Sequence, residues 1–154
     1  MVFSPDNADF WSSDCQLDTK TDIIVSAEDN AEIRRITITN HDAQEKIFEF
    51  TSYQEITLSP QKDDDAHRAF SNLFVKTDYI ERYNALIASR RPRTNTVNNI
   101  WAMHLAVVEG EQIGVTTYET DRLKFIGRNN TVASPVALID GQPVSNSVGA
   151  VLDP

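Results

Sequence analysis

The feature that most constrains this chain is a run of alternating apolar and polar residues, "IFEFTSYQEITL", at positions 47–58. Successive side chains of a strand point to opposite faces, so the alternation predicts a half-buried strand. One face carries the apolar residues Phe48, Phe50, Ile56 and Leu58. An acidic insert, "QKDDDAHRAFSN" at 61–72, follows, and a second strand-like run, "NLFVKTDY", begins at its last residue. The insert is therefore either a chemical site or the corner between two strands.

The segment before this run has the same alternating character. Residues 31–40, "AEIRRITITN", place Arg34 with two isoleucines on one face and Arg35 with two threonines on the other. The polar turn "NHDA" at 40–43 separates this segment from residues 44–58. Two alternating runs joined by a short polar turn predict a β-hairpin.

Three further strands are predicted, at residues 21–27, 84–90 and 100–109. Residues 100–109, "IWAMHLAVVE", carry apolar side chains on both faces, which is typical of a central, buried strand. Many short strands between polar turns indicate a sandwich rather than alternating strands and helices. The sequence thus predicts an all-β fold, an antiparallel β-sandwich with one or two short helices, in a single domain over residues 1–154.

The acidic insert predicts a short helix at about 64–71, with Asp63 or Asp64 as its N-cap and the aspartates at the positive end of the helix dipole. Clustered carboxylates beside His67 are also ligands that a divalent cation could take. The segment has no glycine at the bend and no far glutamate, however, so its spacing fits no established cation loop. We therefore interpret the insert as a corner with a capped helix, and we predict no metal site and no cofactor.

A second helix is predicted over "TDRLKFIG" at 120–127, with Thr120 as N-cap and Gly127 as the stop. Leu123 or Phe125, together with Ile126, is expected to pack this helix onto the sheet. The surrounding segment combines an aromatic ring with planar polar groups, which is what sugar hydroxyls require. The candidate carbohydrate-binding residues are Tyr118, Asp121, Arg122 and Arg128. A plain surface helix is the alternative interpretation.

Composition excludes several classes of function. The net charge of −9 argues against a nucleic-acid backbone or an anionic lipid surface as the main partner. Cys15 is the only cysteine, so no internal disulfide can form. The N-terminus lacks the features of a signal peptide, and the longest apolar stretch, residues 100–108, is too short to span a bilayer. The three histidines have no metal-ligand spacing, and His104 is expected to be a hydrogen-bonded core residue.

No catalytic group is predicted. Neither a nucleophile motif nor a glycine-rich nucleotide-binding loop is present. The arginine-rich segment at 88–96, with Arg90, Arg91 and Arg93, is either an anion-binding loop or a solvated one. A glycosidase would need two carboxylates placed across a cleft, and the fold would have to bring them together. The acids that could supply such a pair are Asp64, Glu81, Glu119 and Asp121.

Seven collinear blocks carry a family resemblance. They are "EIRRITITNH", "FEFTSYQEITLSP", "DDAHRAFSNLFVKTDYI", "LIASRRPR", "WAMHLAVVEG", "YETDRLKFIGR" and "SVGAVLDP". Together they resemble the β-sandwich domain of cyclic β-1,2-glucan synthases and of related glycoside hydrolase family 94 phosphorylases, over almost the whole chain. The resemblance implies part of a super-sandwich of two antiparallel sheets that precedes a helical catalytic domain. No residue here matches that helical domain, so no catalytic residue is carried over.

The resemblance further implies a fragment of a larger glycosyltransferase or phosphorylase, on the cytoplasmic side of a bacterial inner membrane, with the fragment itself soluble. We therefore expect a non-catalytic, carbohydrate-associated module whose partners are a β-glucan or oligosaccharide and the helical catalytic domain. A homodimer is also expected, through an unpaired sheet edge. Neither nucleic acid nor direct membrane insertion is expected. The alternative is a purely structural or assembly domain that packs on the catalytic domain or on a partner subunit and has no sugar affinity.

Overall fold

The structure is a computed structural model that describes residues 1–91, 99–139 and 144–149, without the side chains of 67–72. Its contacts divide into two units, Met1–Thr51 and Ser52–Pro154. Antiparallel strands in two sheets form most of the regular structure, together with three short helices. The all-β prediction is confirmed.

The first unit contains a four-stranded antiparallel sheet in the order β1-β2-β3-β4. Its strands are β1 (Val2–Phe3), β2 (Asn7–Asp14), β3 (Leu17–Val25) and β4 (Glu32–Asn40). The predicted strand at 21–27 is the second half of β3, and the prediction for 31–40 corresponds to β4. The sequence patterns did not predict β1 and β2.

A two-residue turn joins β2 to β3, because Asp14 pairs directly with Leu17. Cys15 and Gln16 both have positive φ, 44° and 70°, as the tightest hairpin turns require. Neither residue is the glycine or asparagine that normally marks such a turn, so the sequence carries no signal for it. The loop from β3 to β4 is longer, and its Ser26 hydroxyl accepts hydrogen bonds from the backbone N–H groups of Glu28 and Asp29.

The hairpin predicted from residues 31–40 and 44–58 is wrong in its second strand. The polar turn does form, since Asn40 Oδ1 accepts from the Asp42 N–H at 3.0 Å and Asn40 Nδ2 donates to the Gln44 carbonyl at 2.8 Å. Residues 47–58, however, belong to no strand. β4 pairs with the preceding strand β3 instead, and Ile47 and Phe50 are 77% and 57% exposed. Alternation makes a segment suitable for a sheet but does not supply its partner.

The second unit contains a three-stranded antiparallel sheet in the order β5-β6-β7. Helix α1 (Gln61–Asn72) precedes it, and the strands are β5 (Val75–Ile80), β6 (Ala85–Arg90) and β7 (Trp101–Leu105). A short 3-10 helix, Glu81–Tyr83, joins β5 to β6. Helices α2 (Arg122–Ile126) and α3 (Val136–Ile139) follow the sheet.

The buried side chains of the described residues lie in this second unit. Val75 and Ala85 are almost completely buried, and Ala88, Ile126, Ala137 and Thr77 are also buried. Among the described strands, β6 is central in its sheet, and β7 lies at the edge with Trp101, Met103 and Leu105 exposed. The prediction that 100–109 forms a central, buried strand is therefore wrong: two apolar faces do not decide which neighbours a strand acquires.

Candidate functional site

The predicted sugar-binding residues lie at the two ends of helix α2, and Arg122 is its first residue. The helix begins after Asp121, whose Oδ1 accepts hydrogen bonds from the N–H groups of Leu123 at 3.0 Å and Lys124 at 3.2 Å. Asp121 is thus the N-cap, and the prediction of Thr120 in that role is wrong. The predicted stop is confirmed, because the Gly127 N–H donates to the Leu123 carbonyl at 2.9 Å.

Arg122 is held by an acidic side chain from a distant segment. Its Nε donates to Glu55 Oε1 at 3.1 Å, and the Tyr53 hydroxyl donates to the same oxygen at 2.8 Å. This glutamate raises the pKa of the Arg122 guanidinium. Burial raises the pKa of the Tyr53 phenol, and the hydrogen bond to Glu55 raises it further. Arg122 remains 45% exposed, so the pairing orients the guanidinium without covering it.

The packing of α2 is close to what its spacing predicts. Ile126 is buried at 4% exposure, and the half-buried Phe125 ring stacks on Tyr53 with 5.5 Å between centroids and an 18° interplanar angle. Leu123, by contrast, is 42% exposed. Of the two residues offered as partners of Ile126, Phe125 is therefore the one that packs. The Phe125–Tyr53 stack and the Arg122–Glu55 pair together attach α2 to residues 53–55.

Tyr118 belongs to a stack of two tyrosines. Its ring lies parallel to that of Tyr79 on β5, with 4.1 Å between centroids and 22° between planes. The Tyr79 hydroxyl donates to the Asn84 side-chain oxygen, and the Tyr118 N–H donates to Asn146 Oδ1 at 2.9 Å. Sequence reasoning missed Tyr79, because nothing in the local pattern indicates which ring a tyrosine meets across the fold.

The Glu119 carboxylate connects the segment before α2 to residues 145–147. It accepts hydrogen bonds from the N–H groups of Thr120, Asp121 and Ser145, and from the hydroxyls of Ser145 and Ser147. Partial burial raises the pKa of Glu119, but these hydrogen bonds outweigh burial, and the pKa lies below its usual value of 4.5. The carboxylate is thus stabilised in its charged form.

Thr77 fixes the same segment to β5. Its N–H donates to the Gly149 carbonyl at 2.7 Å, and its hydroxyl accepts from the Gly149 N–H at 2.9 Å. The Thr120 hydroxyl donates to the Ser147 carbonyl at 3.0 Å. Residues 144–149 therefore run beside β5 and the start of α2, which fixes the surroundings of Tyr118 and Asp121.

The remaining candidate residues lie apart from this cluster or outside the described residues. Arg128 follows Gly127 and is exposed. The Arg90 guanidinium lies 5.5 Å from the centre of the Phe74 ring, and the Arg91 N–H donates to the Phe74 carbonyl. Arg93 lies outside the described residues. His104 is hydrogen-bonded as expected, with Nδ1 2.8 Å from Gln54 Oε1, but it is half-buried rather than in the core.

The acidic insert forms α1, longer at both ends than predicted. Asp63 and Asp64 lie inside its first turn, and their N–H groups donate to the Pro60 carbonyl, so neither is the N-cap. Acidic residues in the first turn still suit the helix dipole. Within the part of the chain that the structure describes, no three His, Cys, Asp or Glu side chains are grouped as a metal site. The side chain of His67 is outside that part.

The comparison with known families decides what kind of domain this is. A family model described as "Glycosyl hydrolase 94, supersandwich domain" matches residues 1–154. The chain belongs to this family. The supersandwich domain is also similar to the cyclic beta-(1,2)-glucan synthase NdvB of Rhizobium meliloti (strain 1021), with 31% identity over 152 residues. The match covers 99% of this chain and 5% of the synthase, so the chain spans a small part of that relative's length.

The resemblance carried by the seven sequence blocks is thereby confirmed. The helices of this supersandwich domain, so far as they are described, are all too short or too polar to cross a membrane.

Proposed function

We propose that this chain is a non-catalytic, carbohydrate-associated β-sandwich module of a larger protein that makes or phosphorolyses a β-1,2-glucan. The observation that carries the proposal is the match of the whole chain to the supersandwich family, together with its similarity to a cyclic beta-(1,2)-glucan synthase. Fold does not by itself imply function, so the proposal also needs a surface whose chemistry suits a sugar.

The α2 edge, formed by Tyr118, Asp121, Arg122 and Arg128, has suitable chemistry. The Tyr118–Tyr79 stack supplies an aromatic surface, and Arg122 supplies a planar group that Glu55 already orients. Asp121 uses Oδ1 as the helix cap, and its Oδ2 lies 3.9 Å from Lys124 Nζ, a weak contact at an exposed site. Oriented planar groups beside an aromatic ring recognise pairs of hydroxyls at low entropic cost.

Asp121 of the α2 edge and the neighbouring Glu119 support a role without catalysis. Asp121 caps a helix, and Glu119 accepts hydrogen bonds from both flanking segments. The depressed pKa of Glu119 is the opposite of what a general acid needs at neutral pH. The catalytic groups of the parent protein then belong to a helical domain outside this chain, and we propose that domain as a partner. We also place the parent at the cytoplasmic side of a bacterial inner membrane.

A purely structural or assembly role is the second candidate, and the exposed face of β7 favours it. Trp101 and Met103 are 63% and 62% exposed, and Leu105 is 45% exposed. Large apolar side chains in one exposed row are typical of surfaces that pack against another domain or subunit. In this alternative the chain has no sugar affinity.

Titration calorimetry with linear and cyclic β-1,2-glucans separates the two candidates. Saturable binding with a dissociation constant of about 1 mM or tighter supports the carbohydrate module, and no heat favours the assembly role. Turnover of β-linked glucosides by the purified chain, abolished by changing Glu119 or Asp121, would contradict both.

A pair of variants tests the α2 edge directly. Arg122→Ala is expected to weaken glucan binding by about 1–3 kcal/mol, the usual scale for a charged hydrogen bond, and to change the melting temperature little. Phe125→Ala should instead lower stability by about 1–2 kcal/mol, less than for a fully buried ring because Phe125 is half-buried. Calorimetry and thermal melts on both variants provide the measurement. An Arg122→Ala protein that binds normally but unfolds early would show that the arginine is structural.

A further inference from the structure

A polar face of the first sheet is built from three cross-strand rows. Residues paired across antiparallel strands lie on the same face, so the register places these rows side by side. The rows are Asn7–Ile24–Ile33, Asp9–Asp22–Arg35 and Trp11–Lys20–Thr37. The opposite face is mixed, with Phe10, Ile23 and Ile36 beside Arg34, Thr19 and Thr21.

A cleft of about 400 Å³ opens on this polar face. Its lining residues are Asn7, Lys20, Asp22, Ile24, Ile33 and Arg35. The volume is at the lower end of the range of about 300–1,000 Å³ that small-ligand sites span. The two isoleucines and the aliphatic parts of the other four residues form most of its lining, and polar atoms form the smaller part.

The charges on this face are balanced and held in place, because the acidic Asp9 and Asp22 accompany the basic Lys20 and Arg35. Lys20 Nζ lies 2.7 Å from Asp22 Oδ1, and Arg35 is the next residue in the same row as Asp22. The hydrogen bond to Asp22 raises the pKa of Lys20, and Lys20 lowers the pKa of Asp22. A balanced set of charges favours a neutral polar ligand, because an anion would meet Asp22 and a cation would meet two basic groups.

One polar atom of the cleft is buried and has no partner. Asn7 Nδ2 donates to Asp9 Oδ1 at 3.2 Å, but Asn7 Oδ1 is buried and accepts no hydrogen bond. A buried acceptor without a donor is unfavourable and is normally satisfied in native proteins. A ligand hydroxyl supplies that donor once the Asn7 side chain turns its oxygen toward the cleft, because the oxygen is inaccessible in the present orientation.

An aromatic ring flanks the charged row. Trp11 lies on the same face and is 52% exposed, and Lys20 Nζ is 5.8 Å from its ring centre. Exposed tryptophan rings offer a flat apolar surface to the C–H face of a sugar, while planar amide, carboxylate and guanidinium groups pair with its hydroxyls. The combination here is the one that a sugar ring requires.

We propose that this face, the Trp11 face, comprising Asn7, Trp11, Lys20, Asp22 and Arg35, is a second carbohydrate site that holds one or two glucosyl residues of a β-1,2-glucan. The sugar stacks on Trp11, and its hydroxyls bond to Asn7, Asp22 and Arg35. The choice of a glucan rests on the function proposed above. The location of the site does not, because it comes from the register, the cleft and the unsatisfied amide oxygen.

The two tryptophans of the chain allow a selective measurement. Trp101→Phe leaves Trp11 as the only tryptophan, and Trp11→Phe leaves Trp101, which is similarly exposed but on the second sheet. A linear β-1,2-glucooligosaccharide is titrated into both variants, and tryptophan emission is followed. We expect a saturable change in the Trp101→Phe protein and none in the Trp11→Phe protein.

Calorimetry with the same oligosaccharide adds the affinities. Trp11→Ala and Asp22→Asn should each raise the dissociation constant by about tenfold or more, the scale of a lost stacking or charged hydrogen-bond contact. Trp101→Ala is the matched control and should bind normally. Circular dichroism of each variant checks that the sheet is intact, and Asp22→Asn keeps the result interpretable if Trp11→Ala fails to fold.

The outcomes separate this inference from the proposed function. Binding that survives Trp11→Ala and Asp22→Asn but is lost in Arg122→Ala overturns the Trp11 face and leaves the proposed function standing. Binding that is lost in Trp11→Ala and kept in Arg122→Ala supports the Trp11 face and overturns the α2 edge. A wild-type chain that gives neither heat nor an emission change overturns the proposed function, and the Trp11 face with it.

Discussion

At the residue scale, the Glu119 carboxylate connects two segments that are far apart in the sequence, although it lies in an irregular segment itself. It joins the start of α2 to Ser145, 26 residues away along the chain. Both carboxylate oxygens accept hydrogen bonds, Oε1 from Thr120, Asp121 and Ser147, and Oε2 from Ser145. Glutamine has only one acceptor oxygen, so it cannot replace this set of contacts.

Glu119→Gln is therefore expected to destabilise the chain by about 1 kcal/mol, at the low end of the usual cost because water can reach this half-buried site. Urea denaturation of both proteins at neutral pH measures the difference. Glu111→Gln, at an exposed position in an irregular segment, is the matched control and should leave stability unchanged. Equal stability of the Glu119 and Glu111 variants would contradict the structural role.

The pKa of Glu119 also sets a pH dependence. Its folded-state pKa lies below the usual 4.5, so its contribution to stability is present above that value and is lost as the pH falls through the folded-state pKa. Urea midpoints between about pH 7 and pH 3 should fall with decreasing pH in the wild-type chain, and fall less steeply in Glu119→Gln. Identical pH profiles for the two proteins would rule out this contribution.

At the element scale, α2 ends because Gly127 adopts a conformation that other residues avoid. Its φ is 83°, and an added Cβ would lie 2.8 Å from Val136 Cγ1 on α3. Both backbone strain and a steric clash therefore oppose a side chain here. The glycine lets the helix stop and lets α3 approach closely.

Gly127→Ala should accordingly lower stability by about 2–4 kcal/mol, combining strain of the positive φ with overpacking against Val136. Gly114→Ala is the matched control, since Gly114 has a φ of 84° and nothing within 4 Å of an added Cβ. Gly114→Ala should lose only the stability that backbone strain costs. The difference in unfolding free energy between the two variants then measures the steric clash with Val136. Thermal and urea denaturation of both proteins provide the values. Equal losses of stability in the two variants would mean that α3 moves away from the added methyl group with little loss of free energy.

At the scale of the whole molecule, β7 presents an apolar row at the edge of the second sheet. Trp101, Met103 and Leu105 are exposed, and within the described residues β7 has a ladder partner on one side, β6. An edge strand with exposed apolar side chains tends to pair with or pack against another surface. In the isolated chain, the surface available for this contact is a second copy of the chain, so we expect self-association.

We expect sedimentation velocity to show concentration-dependent association of the chain, and Met103→Lys to weaken it by about tenfold or more. A lysine at an edge strand adds charge and opposes pairing. Val115→Lys makes the same kind of change at an exposed residue outside the sheets, and should leave association as it is in the wild-type chain. Association that is equally strong in both variants would place the contact elsewhere.

Local patterns predicted those elements whose determinants are close in sequence. Local patterns located β4 and β6 within about one residue and β5 within about three, and Gly127 marked the end of α2. Residues 47–58 show where this reasoning stops, because a clean alternation there forms no strand. The turn at Cys15 and Gln16 shows the opposite failure, a tight hairpin without the residues that usually mark one.

The sequence by itself determined the strand-forming character of the chain, the faces of β4 and, through seven collinear blocks, the supersandwich family. The tertiary structure decided which strands pair, that β7 lies at an edge, that Asp121 rather than Thr120 caps α2, and that Arg122 meets Glu55. The physical reason is the separation along the sequence over which each interaction acts. Periodicity, turn chemistry and helix stops act over a few residues, whereas Arg122 and Glu55 are 67 residues apart. Contacts of that kind exist only after the chain has folded.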